Sequence, residues 1–231
     1  MDILYEDNHL IIVNKSPGEI VQGDKTGDEP LSETLKRYLK EKYRKPGNVF
    51  LGVVHRLDRP VSGVVLFAKT GKALARMNVL FSDKEAVTKT YRAIVERPPA
   101  KPADRVTHWL RRNEEQNKSF VTTPGAKGAK EAVLEYRTLF VGDHYTLLEV
   151  RLLTGRHHQI RAQLSAIGCP IKGDLKYGAK RSNPGGSISL HAQTLAFEHP
   201  VSHEKIVVTA PIPEGGDKLF GNFAEAMGKD S

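Results

Sequence analysis

Apolar positions along this chain recur with two periods. Short runs from Ile3 to Tyr5 and from Leu10 to Val13, separated by Glu6-Asp7-Asn8, predict an opening hairpin. Gly52 to Thr70 has apolar, β-branched ends around a charged middle closed by Pro60 and Gly63, the pattern of a charged loop slung between two strands. Alternation predicts strands from Lys89 to Val95, Ala132 to Phe140 and Tyr145 to Leu153. Val106 to Leu110 and Ser119 to Thr123 predict a hairpin with basic residues at its tip, and Lys205 to Ala210 a closing strand. The helical period appears four times. Leu31, Leu35, Tyr38, Leu39 and Tyr43 share a face opposite Lys36, Arg37, Lys40 and Lys42. Ala73, Leu74, Met77, Leu80 and Phe81 share another behind a Thr70 cap. A third helix points Ile160, Leu164 and Ile167 inward and stops at Gly168, and Leu219 to Met227 forms a short last one. Between them lie a turn at Asn14 to Gly18, a polar loop from Gly23 to Pro30, a break at Pro98 to Ala103, a loop at Gly125 to Lys130, and a mobile basic loop from Lys180 to Ser187. The strands read as antiparallel, and nothing is left over for a second domain: residues 1–231 are expected to form one, with its core from about 10 to 212.

Composition adds a partner class. The formal net charge is +8, which points to a polyanion, with nucleic acid ahead of acidic membrane because no amphipathic basic helix stands out. The single cysteine, Cys169, excludes an intrachain disulfide and any multi-cysteine zinc site, and suits a reducing compartment. With no leader pattern at Met1 to Asp7 and no long apolar run, the chain is expected to be cytoplasmic.

Candidate chemistry concentrates in the charged loop, where His55, Arg56, Asp58 and Arg59 fall within five positions. Positive charge on either side of Asp58 favours its carboxylate form, which suits a nucleophile or an anionic stabiliser better than a general acid; a surface ion pair is the plainer alternative. His157 with His158, and His199 with His203, suggest a metal only weakly. Adjacent histidines point apart on a helix, Pro200 interrupts the second pair, and no cysteine or carboxylate completes either set, so no metal is expected. The Gly125 to Lys130 loop lacks the Ser or Thr of a phosphate cradle, and His-Arg-Leu-Asp has none of the glycine-rich loop or Asp-Phe-Gly that a kinase requires.

The string His55-Arg-Leu-Asp-Arg-Pro-Val-Ser-Gly63 resembles the first motif of RluA-type RNA pseudouridine synthases, with Val61 where Thr is usual. Lys89-Thr-Tyr91-Arg-Ala93 resembles the second motif, and Thr154-Gly-Arg-His-His-Gln-Ile-Arg161 matches the third in full. Asn14 to Gly18, Gly173-Asp174-Leu-Lys-Tyr177-Gly178 and Leu190 to Pro200 resemble further family elements. The resemblance implies one α/β domain of the α+β type: a mixed, mostly antiparallel sheet with flanking helices and a central cleft, without an N-terminal S4 module. It implies isomerisation of uridine in ribosomal or transfer RNA stem-loops to pseudouridine after base flipping, by a monomer with no cofactor. Its catalytic residues would be Asp58, Tyr91 and Arg156, with Arg156 pairing to Asp58. Arg56, His55, Arg59, Lys89, Ile160 and Arg161 would bind substrate, Arg56 entering the space that the flipped base leaves. Two alternatives stay open: glycosidic-bond hydrolysis, which normally needs a second carboxylate that the three motifs lack, and a non-catalytic RNA-binding or ribosome-assembly factor on the same fold.

Overall fold

The computed structural model describes residues 1–24, 26–83, 85–213 and 216–229. In chain order these form β1 (Asp2–Glu6), β2 (Leu10–Lys15), α1 (Leu31–Lys42), β3 (Gly52–Val53), β4 (Ser62–Ala68), α2 (Gly71–Ser82) and β5 (Val87–Val95). There follow β6 (Ala103–Asn113), β7 (Lys118–Thr122), β8 (Lys130–Val141), β9 (Thr146–Leu152), α3 (Gln159–Ala166), β10 (Leu190–Glu198), β11 (Lys205–Thr209) and α4 (Leu219–Lys229). The strands make one sheet in the order β1-β2-β4-β10-β5-β9-β8-β6-β7, with β3 added to β4 and β11 to β10. Every pairing is antiparallel except β4 with β10, so the sheet is mixed as expected.

Burial on both faces explains why β2 and β4 read as continuous apolar runs rather than alternations. Ile11, Val13, Val65 and Phe67 meet Leu31, Leu35 and Leu39 of α1 on one face, whereas Leu10, Ile12, Val64 and Leu66 meet Ala73 and Met77 of α2 on the other. Thr70 caps α2 as expected, its Oγ1 accepting the Ala73 N–H at 3.1 Å. Further along the sheet Tyr91, Ala93, Leu148 and Val150 share the α1 face with Ile160 and Leu164 of α3. Ile94 and Leu147 point the opposite way, against Phe220 and Phe223 of α4. The α1 face therefore carries the chemistry and the other face the supporting helices.

Strand β4 parts company with β10 after Ser62 and Gly63, which pair with His191 and Ala192. Gly63 has φ +116°, and a Cβ there would run into the Ala192 carbonyl, so only glycine allows this approach. Beside it the Ser62 hydroxyl meets His191 Nδ1 at 2.8 Å, while His191 Nε2 donates to the Ala210 carbonyl at 3.0 Å.

Two expectations change. Lys180 to Ser187, expected to be mobile, is anchored. Asn183 and Ser187 are buried, and the Asn183 amide accepts from Lys172 Nζ at 2.7 Å and donates to Ser189 Oγ at 3.0 Å. Tyr43, placed on the apolar face of the first helix, is exposed past its end, its hydroxyl donating to Glu6 at 2.6 Å. Among the described residues no helix is long and apolar enough to cross a membrane.

Candidate active site

Residues 54–61 leave β3 and return to β4 as a loop tied down from three sides. Leu57 and Val61 are buried in the core, which gives a reason for the missing hydroxyl at Val61: its side chain sits among apolar groups. Gly18 N–H donates to the Arg59 carbonyl at 2.8 Å, and Ile188 N–H to the Pro60 carbonyl at 3.1 Å. Lys15, fully buried at the end of β2, donates from Nζ to the carbonyls of Ser16 (2.9 Å), Arg59 (3.1 Å) and Val61 (2.6 Å). Burial pulls this ammonium down to about 8.

This loop presents Asp58 to a cleft of about 950 Å³, near the upper end of the roughly 300–1,000 Å³ usual for ligand pockets. Its partner is Arg161, whose Nη1 donates to Asp58 Oδ2 at 3.1 Å. The same guanidinium grips Asp174 with Nε at 2.7 Å and Nη2 at 2.9 Å. Burial works against the Arg161 charge, but hydrogen bonding to Asp174 and the two nearby carboxylates more than offset it and hold its pKa above the ordinary value. His158 Nε2 stands 3.5 Å from the same Oδ2. Burial first, then Arg161, pull the imidazole down to about 2, so His158 is neutral and this contact is no ion pair. Among the described residues no hydrogen bond or ion pair reaches Asp58 Oδ1. One oxygen is held and the other is left for a ligand.

The expected pairing of Asp58 with Arg156 is therefore corrected. Arg156 sits before α3, where its N–H donates to Gln159 Oε1 at 2.9 Å and its Nε to the Glu131 carbonyl at 2.9 Å. Arg161 lies on the first turn of α3 and reaches back beneath the loop. Nor do the flanking arginines hold Asp58, because neighbouring side chains on an extended loop diverge: Arg59 pairs with Asp28 at 2.7 Å, and exposed Arg56 has no ion pair among the described residues. His157 and His158 do not point apart. They precede the helix, His158 in the left-handed region at φ 52°, and their rings stack with centroids 3.8 Å apart.

The remaining expected site residues converge on the cleft. Tyr91 and Ile160 form its apolar floor, and burial, with Asp58 nearby, holds the Tyr91 phenol above its ordinary value. At one end His55 stacks on Phe81, centroids 5.2 Å apart, and accepts the Leu66 N–H at 3.2 Å. Burial, then Lys89, bring His55 down to about 3, so it is a neutral wall residue. Lys89 is itself pulled down by burial and lies 5.7 Å from the Phe81 ring centre. Arg112 and Lys176 join Arg56, Arg59 and Arg156 in lining the cleft, beside the β6–β7 hairpin tip. The Gly-Asp-x-x-Tyr-Gly element, read as a structural turn, supplies both Asp174 and Tyr177. With Lys172 and Lys176 two positions either side of Asp174, local charge offered no sign that its cation is the more distant Arg161.

A family model described as RNA pseudouridylate synthase matches residues 9–166. An uncharacterized RNA pseudouridine synthase of Bacillus subtilis (YlyB) is 32% identical over 226 residues, 96% of this chain and 73% of that protein. A protein of Zymomonas mobilis named ribosomal large subunit pseudouridine synthase D is 32% identical over 230 residues, 95% of this chain and 72% of that one. Among solved structures, human RNA pseudouridylate synthase domain containing 4 superposes with a TM-score of 0.78 at 24% identity, covering 98% of this chain and 92% of that one, a likeness of fold.

Proposed function

This chain belongs to the RNA pseudouridylate synthase family, and from that premise we propose that Asp58 is the carboxylate that acts on the sugar of a flipped uridine. The family's reaction isomerises uridine in RNA: the N1–C1′ bond breaks, the base turns, C5 bonds to C1′, the C5 hydrogen leaves and N1 gains one. Breaking a glycosidic bond builds positive character at C1′, which a carboxylate can trap or stabilise. The observation that carries the assignment is the asymmetry of Asp58 in the wall of the cleft, with Oδ2 tied to Arg161 and no hydrogen bond or ion pair to Oδ1 among the described residues. Arg161 holds the carboxylate in place and supplies its counter-charge. Tyr91 and Ile160 would pack against the base, while Arg56, Arg59, Arg112, Arg156 and Lys176 meet phosphates. Such contacts position RNA without reading its sequence, so selectivity rests on shape and on the few kcal/mol that flipping costs, least in a loop.

We place the substrate in a stem-loop of large-subunit ribosomal RNA, following the Zymomonas relative's name, with a transfer RNA stem-loop as second choice. The test is release of tritium from transcripts carrying uridine labelled at C5, because only the isomerisation expels that hydrogen. Asp58→Asn preserves shape and removes charge, so RNA should still bind while turnover falls by at least about 10⁴. Turnover within tenfold of the parent would refute the role of Asp58, and free uracil among the products would indicate hydrolysis instead.

A further inference from the structure

On the reading that Asp58 reacts through Oδ1, we propose that His158 is its second positioning residue, a neutral Nε2–H donor aimed at Oδ2 and set in that tautomer by the Tyr177 hydroxyl.

Hydrogen-bond bookkeeping fixes the direction. Ser119 N–H donates to the Tyr177 oxygen at 2.8 Å, and Tyr177 meets His158 Nδ1 at 3.0 Å. Among the described residues Nδ1 is the one acceptor within reach of the Tyr177 hydroxyl proton, so Nδ1 accepts and the imidazole proton sits on Nε2, facing Asp58 at 3.5 Å. The opposite tautomer would turn a lone pair toward a carboxylate. Ring orientation is enforced independently. His158 adopts φ 52° and ψ 28°, a left-handed conformation that a non-glycine residue keeps only where its surroundings demand it. The demand comes from His157, stacked on it and itself held by Ser119 Oγ at 2.9 Å and Asn117 Oδ1 at 3.1 Å. Burial keeps the imidazole neutral, and the positive charge of Arg161, Lys176 and Arg112 around it adds to that, so the nearest true cation on Asp58 remains Arg161. Contacts of this length in a free enzyme commonly tighten once substrate excludes water.

Two measurements on the full chain test this. Imidazole nitrogen NMR of the labelled protein at neutral pH, with the His158 signals identified by their loss in His158→Asn, should show Nδ1 bare and Nε2 protonated. Tyr177→Phe removes only the hydroxyl, keeping the ring 5.0 Å from the Arg161 guanidinium, and should move the Nδ1 signal. A protonated Nδ1, or an unmoved signal, overturns the relay whatever the RNA substrate is. Kinetics use tritium release from a large-subunit ribosomal RNA transcript, where activity in the parent and its loss in Asp58→Asn first establish the site itself. His158→Asn should lower kcat about 10- to 100-fold, the worth of a hydrogen bond to a charged group, with KM changed less than about threefold. His158→Gln, whose amide nitrogen can stand where Nε2 does, should recover most of that loss. Equal kcat for the Asn and Gln variants, or a change confined to KM, rules out the donor role.

Discussion

Exchanging Arg161 for lysine, beside the same exchange at Arg156, separates the two arginines of one motif. Arg161 makes three charge-assisted hydrogen bonds, at 2.7 and 2.9 Å to Asp174 and 3.1 Å to Asp58. An ammonium is a single point and cannot span that fork. It should stay with Asp174, which is only 1% exposed and would otherwise be a buried charge without a cation. Two of three bonds are then lost, at about 1.5–3 kcal/mol each before relaxation, so stability should fall by about 3 kcal/mol. Asp58 loses its cation, and a barrier raised by about 1.5–3 kcal/mol slows turnover roughly 10- to 150-fold. Arg156→Lys disturbs one bond to a backbone carbonyl but keeps the charge, so kcat should stay within about threefold and the salt dependence of RNA binding close to the parent's. Urea melts and tritium release at saturating RNA read both quantities. If Arg156→Lys loses as much kcat as Arg161→Lys, then Arg156 reaches Asp58 in the substrate complex and the pairing described here is not the catalytic one.

Lys15→Met removes two hydrogen bonds to the catalytic loop and one to Ser16 but also the cost of burying an ammonium, so stability from urea melts should change by less than about 2 kcal/mol while kcat falls at least about tenfold; an unchanged kcat would mean the loop holds itself. Gly63→Ala forces a methyl into the Ala192 carbonyl at a positive φ and should cost about 3 kcal/mol or prevent folding, which soluble yield and urea melts report. Glu6, with its bonds to Lys42, Tyr43 and Lys69, is lowered from 4.5 to about 2 in spite of burial. A depressed carboxylate stabilises the fold above its unfolded pKa, so up to about 3 kcal/mol present at neutral pH should disappear as pH falls from about 4.5 to 2. Melts across that range should show a shallower acid slope for Glu6→Gln; identical slopes would remove Glu6 from the account.

How much of this was legible beforehand depended on the range of the interaction concerned. Local periodicity placed α1, α2, α3 and the strand pairs β1–β2, β6–β7 and β8–β9, because turn residues and alternation are properties of a few neighbouring positions. The parallel seam between β4 and β10 joins Ser62 to His191, and no local pattern encodes it. The same holds for the cation on Asp58. Arg56, Arg59, Arg156 and Arg161 are all credible by residue type, and only the start of α3, one residue after the left-handed His158, decides that Arg161 turns under the loop. Lys15 carried a sharper hint, a lysine ending a strand that is apolar up to Asn14, yet two of its three acceptors lie 44 and 46 residues away.

The β4–β10 seam also sets a timetable for a chain made from its N-terminus. Strand β5 takes β10 as one of its two neighbours, yet about a hundred residues separate them. At 5–20 residues per second, the edge from Val87 to Ala93 would wait roughly 5–20 s for its partner after it is made. During that interval it is an open template for other strands, and the loop bearing Asp58 lacks its Ile188 tie. Productive folding of this chain is thus expected to be a late, largely all-at-once event of high contact order, with nascent fragments ending before β10 both inactive and prone to self-association.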